Sequence, residues 1–223
     1  MSFCYLFLNF IRIVNKGAYI LENSDCRLLI VDTAFHETVS PALASLDPVV
    51  RDRIKVVDIR DPQAGDMPHI GDQDYEAFIG AGDPAYDWQM PADEWQALAL
   101  GYTSGTSGRP KGVVYHHRGA YLYCMGTAAG LALPQHPTYL YIVPMFHCNG
   151  WCHAWTMTMM AATIVLTREI SADAIFGAIK DHRVTHFAGA AVVLAMLVNA
   201  PDAQKPTLDY TVKVFTAGAP PPA

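Results

Sequence analysis

Short apolar runs rich in β-branched residues alternate with longer stretches of helical spacing along most of this chain, and that alternation leaves few folds open. Arg27, Leu28, Leu29, Ile30, Val31 and Asp32 form one run; Ile54, Lys55, Val56, Val57, Asp58 and Ile59 form the next; residues 35–46 between them have helical spacing. A strand, a helix and a strand at this separation make a βαβ unit with a parallel strand pair. Residues 18–24 read as the end of an earlier helix. Residues 61–90 hold Pro62, Gly65, Pro68, Gly71, Gly80, Gly82 and Pro84, and read as a connecting region with one short helix around Tyr75 and Phe78. Beyond it, strands are expected at 112–115, 139–144, 163–166, 185–188 and 212–217, and helices at 118–131, 151–160, 172–182 and 191–199. The result is an α/β fold with layered helices over mostly parallel sheets.

Composition agrees with buried sheets. Hydrophobic residues make up 52% of the 223 residues and charged residues 16%, rich in apolar residues for a water-facing domain. The same excess fits a piece whose apolar faces meet something outside this sequence, and the two explanations are compatible. The net charge of −6, with no basic cluster, gives no nucleic-acid-binding surface. The five cysteines (Cys4, Cys26, Cys124, Cys148 and Cys152) are odd in number and irregularly spaced, which argues against a disulfide framework and for the reducing cytoplasm. The apolar run from residue 2 to residue 14 is broken by Asn9 and Arg12, lacks the flanks of a signal peptide and is too short to span a bilayer.

The strongest chemical signal is the string Tyr102, Thr103, Ser104, Gly105, Thr106, Ser107, Gly108, Arg109, Pro110, Lys111, Gly112. Its glycines let the backbone approach a ligand closely, and successive amides in such a turn form a concavity for anions. Thr103, Ser104, Thr106 and Ser107 add hydroxyl donors, and Lys111 adds a compact positive charge. The string is not a Walker A loop, because Arg109 and Pro110 separate Gly108 from Lys111 and a strand, not a helix, follows. Taken alone, a Gly/Ser/Thr stretch of this kind is either a phosphate cradle or a solvated hairpin loop.

The string closely resembles the signature of the adenylate-forming, AMP-binding superfamily, which includes acyl-CoA synthetases, luciferases and peptide-synthetase adenylation domains. The resemblance implies that Thr103 to Gly108 and Lys111 hold the β and γ phosphates of ATP while a carboxylate attacks the α phosphorus. Three further segments follow in family order. Pro144 to Trp151 resembles the second core stretch, which implies that His147 approaches the substrate carboxylate and Trp151 walls the acyl tail; an imidazole can donate a hydrogen bond to a carboxylate, and a lone histidine here is otherwise a core residue. Thr185 to Val192 resembles a third stretch, with Ala191 in place of its usual proline; Gly189 and Ala190 line the acyl or nucleotide cleft or form a plain strand-to-helix turn. Phe215 to Ala223 resembles the Gly-Ala-Pro segment, which implies that Gly218, Ala219 and Pro220 pass the adenine ring. The run from Gly112 to Gly119, with His116, His117 and Arg118, narrows the likeness to short- and medium-chain acyl-CoA synthetases, including 3-methylmercaptopropionyl-CoA ligases; those two histidines read as structural. His147, Cys148, Cys152 and His153 lack the usual spacing of a zinc knuckle, so no metal site is assigned.

On this resemblance residues 1–223 are an incomplete large domain without the small C-terminal domain, and the parent enzyme is an ATP-dependent acid–thiol ligase of fatty acid metabolism. It joins a small-molecule carboxylate to CoA through acyl-AMP, with Mg²⁺ whose main ligand is not in this sequence. The Tyr-Gly-x-Thr-Glu stretch and the second catalytic lysine are also not in it, so the isolated chain is expected to show negligible turnover. Two alternatives stay open. One is a non-catalytic nucleotide-binding remnant; the other is a different carboxylate-adenylating enzyme, although residues 139–168 contain none of the carboxylates that an amine substrate calls for.

Overall fold

The computed structural model describes residues 5–6, 14–103 and 109–217. The chain divides into two compact units, Met1–His116 and His117–Ala223.

The first unit is built on the βαβ pattern. Strand β1 (Tyr5–Leu6) precedes helix α1 (Val14–Asn23), which buries Gly17, Ile20 and Leu21, the three- and four-residue spacing of one helix face. Strand β2 (Leu28–Asp32) alternates, with Leu29 and Val31 turned into the core. Asp32 accepts the Ala34 amide at 2.8 Å and turns the chain into α2 (His36–Ala44). This helix packs on α1, so closely that a Cβ on Gly17 would stand 3.4 Å from that of Ala42. A four-residue helix, α3 (Pro48–Arg51), was not anticipated; Asp47 caps it through the Val49 amide, and Pro48 takes the first-turn position where no N–H is needed. Strand β3 (Lys55–Ile59) then lies parallel to β2 in unbroken register, from Leu28 opposite Lys55 to Asp32 opposite Ile59. Leu21, Leu29, Val31, Val39, Leu43, Leu46 and Ile54 form the core between helices and sheet.

The connecting region is more ordered than its glycines and prolines suggest. It supplies β4 (Gln73–Asp74), parallel to β3, and α4 (Tyr75–Gly80), capped by Asp74. Its anchor is Asp58, fully buried in β3, whose carboxylate accepts hydrogen bonds from His69 Nδ1 at 3.0 Å and from the amides of Ile70 at 3.1 Å and Gly71 at 2.9 Å. Gly71 comes so close to β3 that a Cβ there would sit 2.5 Å from the Val56 carbonyl oxygen.

A second sheet of this unit, in the order β1, β5 (Ala97–Tyr102), β6 (Gly112–His116), contains the antiparallel pair β5–β6. All other strand pairs described are parallel. Tyr102 fixes this hairpin to α1 by donating its hydroxyl to Asn23 Oδ1 at 2.6 Å.

The second unit starts with α5 (His117–Gly130) and continues with β7 (Thr138–Tyr141), α6 (Cys148–Trp151), α7 (His153–Met159), β8 (Thr163–Leu166), α8 (Ala172–His182), β9 (His186–Ala188), α9 (Ala191–Val198) and β10 (Lys213–Phe215). Its parallel sheet runs β10-β9-β7-β8. The inner strands are covered on both faces, with Tyr139 and Leu140 fully buried in β7 and all of β9 buried, as expected of a parallel sheet layered by helices. Leu140, Ile142, Val165, Ile175, Ile179, Val184, Phe187 and Leu197 make the core. Several large apolar side chains stay exposed, among them Val114, Leu166, Val192 and Val198. No described helix is long and apolar enough to cross a membrane.

Candidate active site

The phosphate-loop string lies at the tip of the β5–β6 hairpin. Tyr102 pairs with Gly112, and the Thr103 amide donates to the Lys111 carbonyl at 3.0 Å, carrying the ladder one step further. Thr103 therefore spends its backbone donor inside the hairpin. Ser104, Gly105, Thr106, Ser107 and Gly108 lie outside the described residues. The chain re-enters at Arg109, whose guanidinium stands 5.4 Å from the centre of the Tyr19 ring on α1. Pro110 is buried beside it, while Thr103 and Lys111 are exposed at the base of the loop. Lys16, Tyr19, Glu22, Asp47, Arg109 and Pro110 line an open groove of 630 Å³ in this unit.

The second unit holds an open cavity of 410 Å³ at the carboxyl end of β10, an end of a parallel sheet where ligands commonly bind. One wall is the Tyr123, Gly126, Thr127, Gly130 and Leu131 face of α5; the other is Trp151, His153, Phe215, Thr216 and Ala217. Trp151 reaches the cavity through an unusual turn. Asn149, Gly150, Trp151 and Cys152 all have φ between 47° and 61°, so α6 is wound in the left-handed sense and the expected helix over 151–160 starts properly only at His153. Among the described residues neither side-chain amide atom of buried Asn149 has a hydrogen-bond partner. Tyr141 braces the turn, its hydroxyl lying against Met145 Sδ and 3.2 Å from the Gly150 carbonyl. Gly150 is required twice over: by its φ of 61° and because a Cβ there would meet the Tyr141 hydroxyl. Gly150→Ala is expected to lower stability by about 2 kcal/mol, since the tyrosine tip can swing aside only in part; chemical denaturation of both forms measures it.

The structure brings only some of the anticipated residues together. Trp151 lines the cavity, and so do Phe215, Thr216 and Ala217, the last described residues before Gly218, Ala219 and Pro220, which lie outside the described residues. His147 is exposed, its ring against Phe146 at 4.4 Å between centroids, and is not part of the lining. Gly189 is buried and donates its amide to the Phe215 carbonyl at 3.0 Å; Ala190 is exposed and precedes α9.

Sequence reading weighed His153 only as a member of the unassigned zinc cluster and gave it no role at the site. It is 3% exposed, and its Nδ1 meets the hydroxyl of fully buried Tyr139 at 2.5 Å. Burial pushes its pKa down to about 4 and pushes that of the Tyr139 phenol upward, so both partners are neutral near pH 7. Its nearest sequence cue is the close succession of Tyr139, Trp151 and His153 around one strand end. Among the described residues no group of three or more His, Cys, Asp or Glu is placed to hold a metal ion.

Helices layered over mostly parallel sheets in both units define an α/β protein. Residues 15–223 match the AMP-binding enzyme family, and the chain belongs to it. It is 40% identical over 215 residues to the peroxisomal acetate/butyrate–CoA ligase AAE7 of Arabidopsis thaliana, covering 92% of this chain and 38% of that protein. It is 39% identical over 214 residues to the acetate–CoA ligase CCL3 of Humulus lupulus, with the same coverage. The chain thus spans well under half the length of these relatives. Among solved structures, the N-terminal domain of FACL13 from Mycobacterium tuberculosis superposes with a TM-score of 0.78 at 20% identity, over 97% of this chain and 51% of that one. An acyl-CoA synthetase from Brucella canis gives 0.78 at 20% identity, over 97% of this chain and 38% of that one; at such identity the likeness concerns the fold.

Proposed function

We propose that this chain carries the phosphate-gripping loop and part of the acyl cavity of an ATP-dependent acyl-CoA ligase. In the first half-reaction a carboxylate oxygen attacks the α phosphorus of ATP, the bond to the β-phosphate oxygen breaks, and pyrophosphate leaves acyl-AMP behind. In the second, the CoA sulfur attacks the acyl carbonyl carbon, AMP departs and the thioester remains. The observation that carries this reading is the end of the hairpin ladder. The hydrogen bond from the Thr103 amide to the Lys111 carbonyl sets both residues side by side at the base of the Gly/Ser/Thr loop. There the Thr103 hydroxyl, the donors of Ser104, Gly105, Thr106, Ser107 and Gly108, and the Lys111 ammonium hold the β and γ phosphates. His147 donates a hydrogen bond to the incoming carboxylate. Trp151, Gly189 and Ala190 shape the acyl end, and Gly218, Ala219 and Pro220 pass the adenine.

Mg²⁺ accompanies ATP in such chemistry, but the described residues offer it no donor cluster, so no step is assigned to it. Cys26, Cys124 and Cys152 are free thiols, which fits a reducing compartment such as the cytoplasm; the place in fatty acid metabolism rests on the family alone.

The test is nucleotide binding to the purified chain by calorimetry. ATP should bind more tightly than AMP, and Lys111→Met should weaken ATP roughly tenfold to a hundredfold, the loss of one charge-assisted contact, while leaving AMP nearly unchanged. Equal affinity for ATP and AMP, or an unaltered Lys111→Met variant, would remove the phosphate role.

A further inference from the structure

The acyl cavity has a polar atom in an otherwise largely apolar wall. His153 opens α7 with its ring on the cavity surface, perpendicular to Trp151 at 5.9 Å between centroids and to Tyr139 at 5.6 Å. Leu131, Trp151, Phe215 and Ala217 make much of that surface apolar, and the hydroxyls of Tyr123, Thr127 and Thr216 are its other polar side-chain groups; none of the three is hydrogen-bonded to His153 among the described residues. Its one hydrogen bond among the described residues is at Nδ1, to the Tyr139 hydroxyl. Nε2 has none.

The direction of that bond sets what Nε2 can do. Both groups are neutral, because burial disfavours the imidazolium and the phenolate alike. Among the described residues His153 Nδ1 is the one hydrogen-bond partner of the fully buried Tyr139 hydroxyl, and a phenol that did not donate there would leave its O–H unsatisfied. Its own proton then goes to His153 Nδ1, and the single ring proton of a neutral imidazole sits on Nε2. The cavity wall therefore displays an N–H donor held in place by a buried tyrosine that is itself fixed in the central strand β7.

We propose that His153 is a specificity-determining residue of this cavity, selecting carboxylates whose chain carries an oxygen acceptor, an ether or a hydroxyl, over isosteric alkyl acids. The proposal rests on the reading of the 410 Å³ cavity as the acyl site. An alkyl chain laid over Nε2–H strips the donor of water and returns nothing; an ether oxygen at the same place accepts its proton. A site with a buried donor rejects the analogue that lacks the acceptor more strongly than an apolar pocket rejects a change of one methylene.

The experiment uses the purified chain and the fluorescence of Trp151, assigned by comparison with Trp151→Phe. The chain is titrated with pentanoate and with 3-methoxypropanoate, its isostere with oxygen in place of a methylene. The ether acid is expected to bind roughly tenfold or more tightly than pentanoate. In His153→Phe the ratio should fall to about one, because the donor is gone. Tyr139→Phe, which frees the imidazole to shift its proton, should lower the ratio. The ¹⁵N shifts of the His153 ring, read on the wild-type chain, should report a proton on Nε2 whatever the variants do. Equal affinity for the two acids in the wild type, a preference that survives His153→Phe, or a proton on Nδ1 overturns the role of His153 and leaves the cavity assignment standing. If neither acid alters Trp151 emission, the acyl reading of the cavity fails, and this proposal with it.

Discussion

Asp58→Ala is expected to lower folding stability by about 4 kcal/mol. The carboxylate is fully buried and receives three hydrogen bonds, two of them from the backbone amides of Ile70 and Gly71. Alanine removes the acceptor but leaves both amides pressed against β3, where each unsatisfied donor costs about 1–3 kcal/mol. The chain cannot move outward cheaply, because Gly71 already stands where a Cβ would come within 2.5 Å of the Val56 carbonyl. Asp58→Asn should recover part of the loss, since its amide oxygen still accepts one or two of the three bonds. Urea unfolding of the three proteins gives the comparison; an Asp58→Ala change below about 1 kcal/mol would mean that water replaces the lost acceptor and that the anchor matters little.

Acid is expected to destabilise the second unit through His153. The folded-state pKa, about 4, lies below the ordinary 6.5. Between those values the unfolded chain binds a proton that the folded chain refuses, so stability falls as pH falls. The contribution is complete above pH 6.5 and is lost progressively as pH drops toward 4, where the total reaches about 3 kcal/mol. His186, also buried and also depressed, first by desolvation and then by Lys213, adds in the same direction. The check is a pair of denaturant titrations at about pH 7 and about pH 4.5 on the wild type and on His153→Phe. The variant should show a clearly shallower loss; identical losses would place the acid sensitivity elsewhere.

The regular elements could be read from residue order because period and composition act locally. The helix at 172–182 and the strand at 163–166 have the boundaries that their apolar spacing suggested. The α/β architecture with mostly parallel sheets followed from strands separated by helices, and the antiparallel exception, β5–β6, is joined by the short Gly/Ser/Thr loop that a hairpin allows. What the sequence hid depends on distant contacts. In the region 61–90 the short helix around Tyr75 and Phe78 was legible, but the rest looked like a plain connection because the ordering force on it comes from Asp58 on another strand, reached only after the chain folds back. The left-handed turn from Asn149 to Cys152 was invisible for a similar reason: Trp151 and Cys152 have no preference for positive φ, and the Tyr141 hydroxyl that braces the turn belongs to β7. His153 gave no signal of its own, since a histidine in a helical pattern is most often a core or surface residue; only the fold brings Tyr139 to it. Family motifs, by contrast, marked Trp151 and the segment from Phe215 to Ala223; Trp151, Phe215, Thr216 and Ala217 line the cavity, and Gly218, Ala219 and Pro220, the residues assigned to adenine, lie outside the described residues.

The central claim is that the loop between Thr103 and Lys111 grips the terminal phosphates of a nucleotide. Amide chemical shifts of ¹⁵N-labelled chain, followed during separate titrations with ATP, pyrophosphate and AMP, test it most directly. ATP and pyrophosphate should both shift the amides of Gly105, Thr106, Ser107 and Gly108, and AMP should leave them nearly still, while the Thr103 amide, already bound to the Lys111 carbonyl, moves little with any ligand. Shifts of equal size with AMP, or a loop indifferent to all three ligands, would contradict the account.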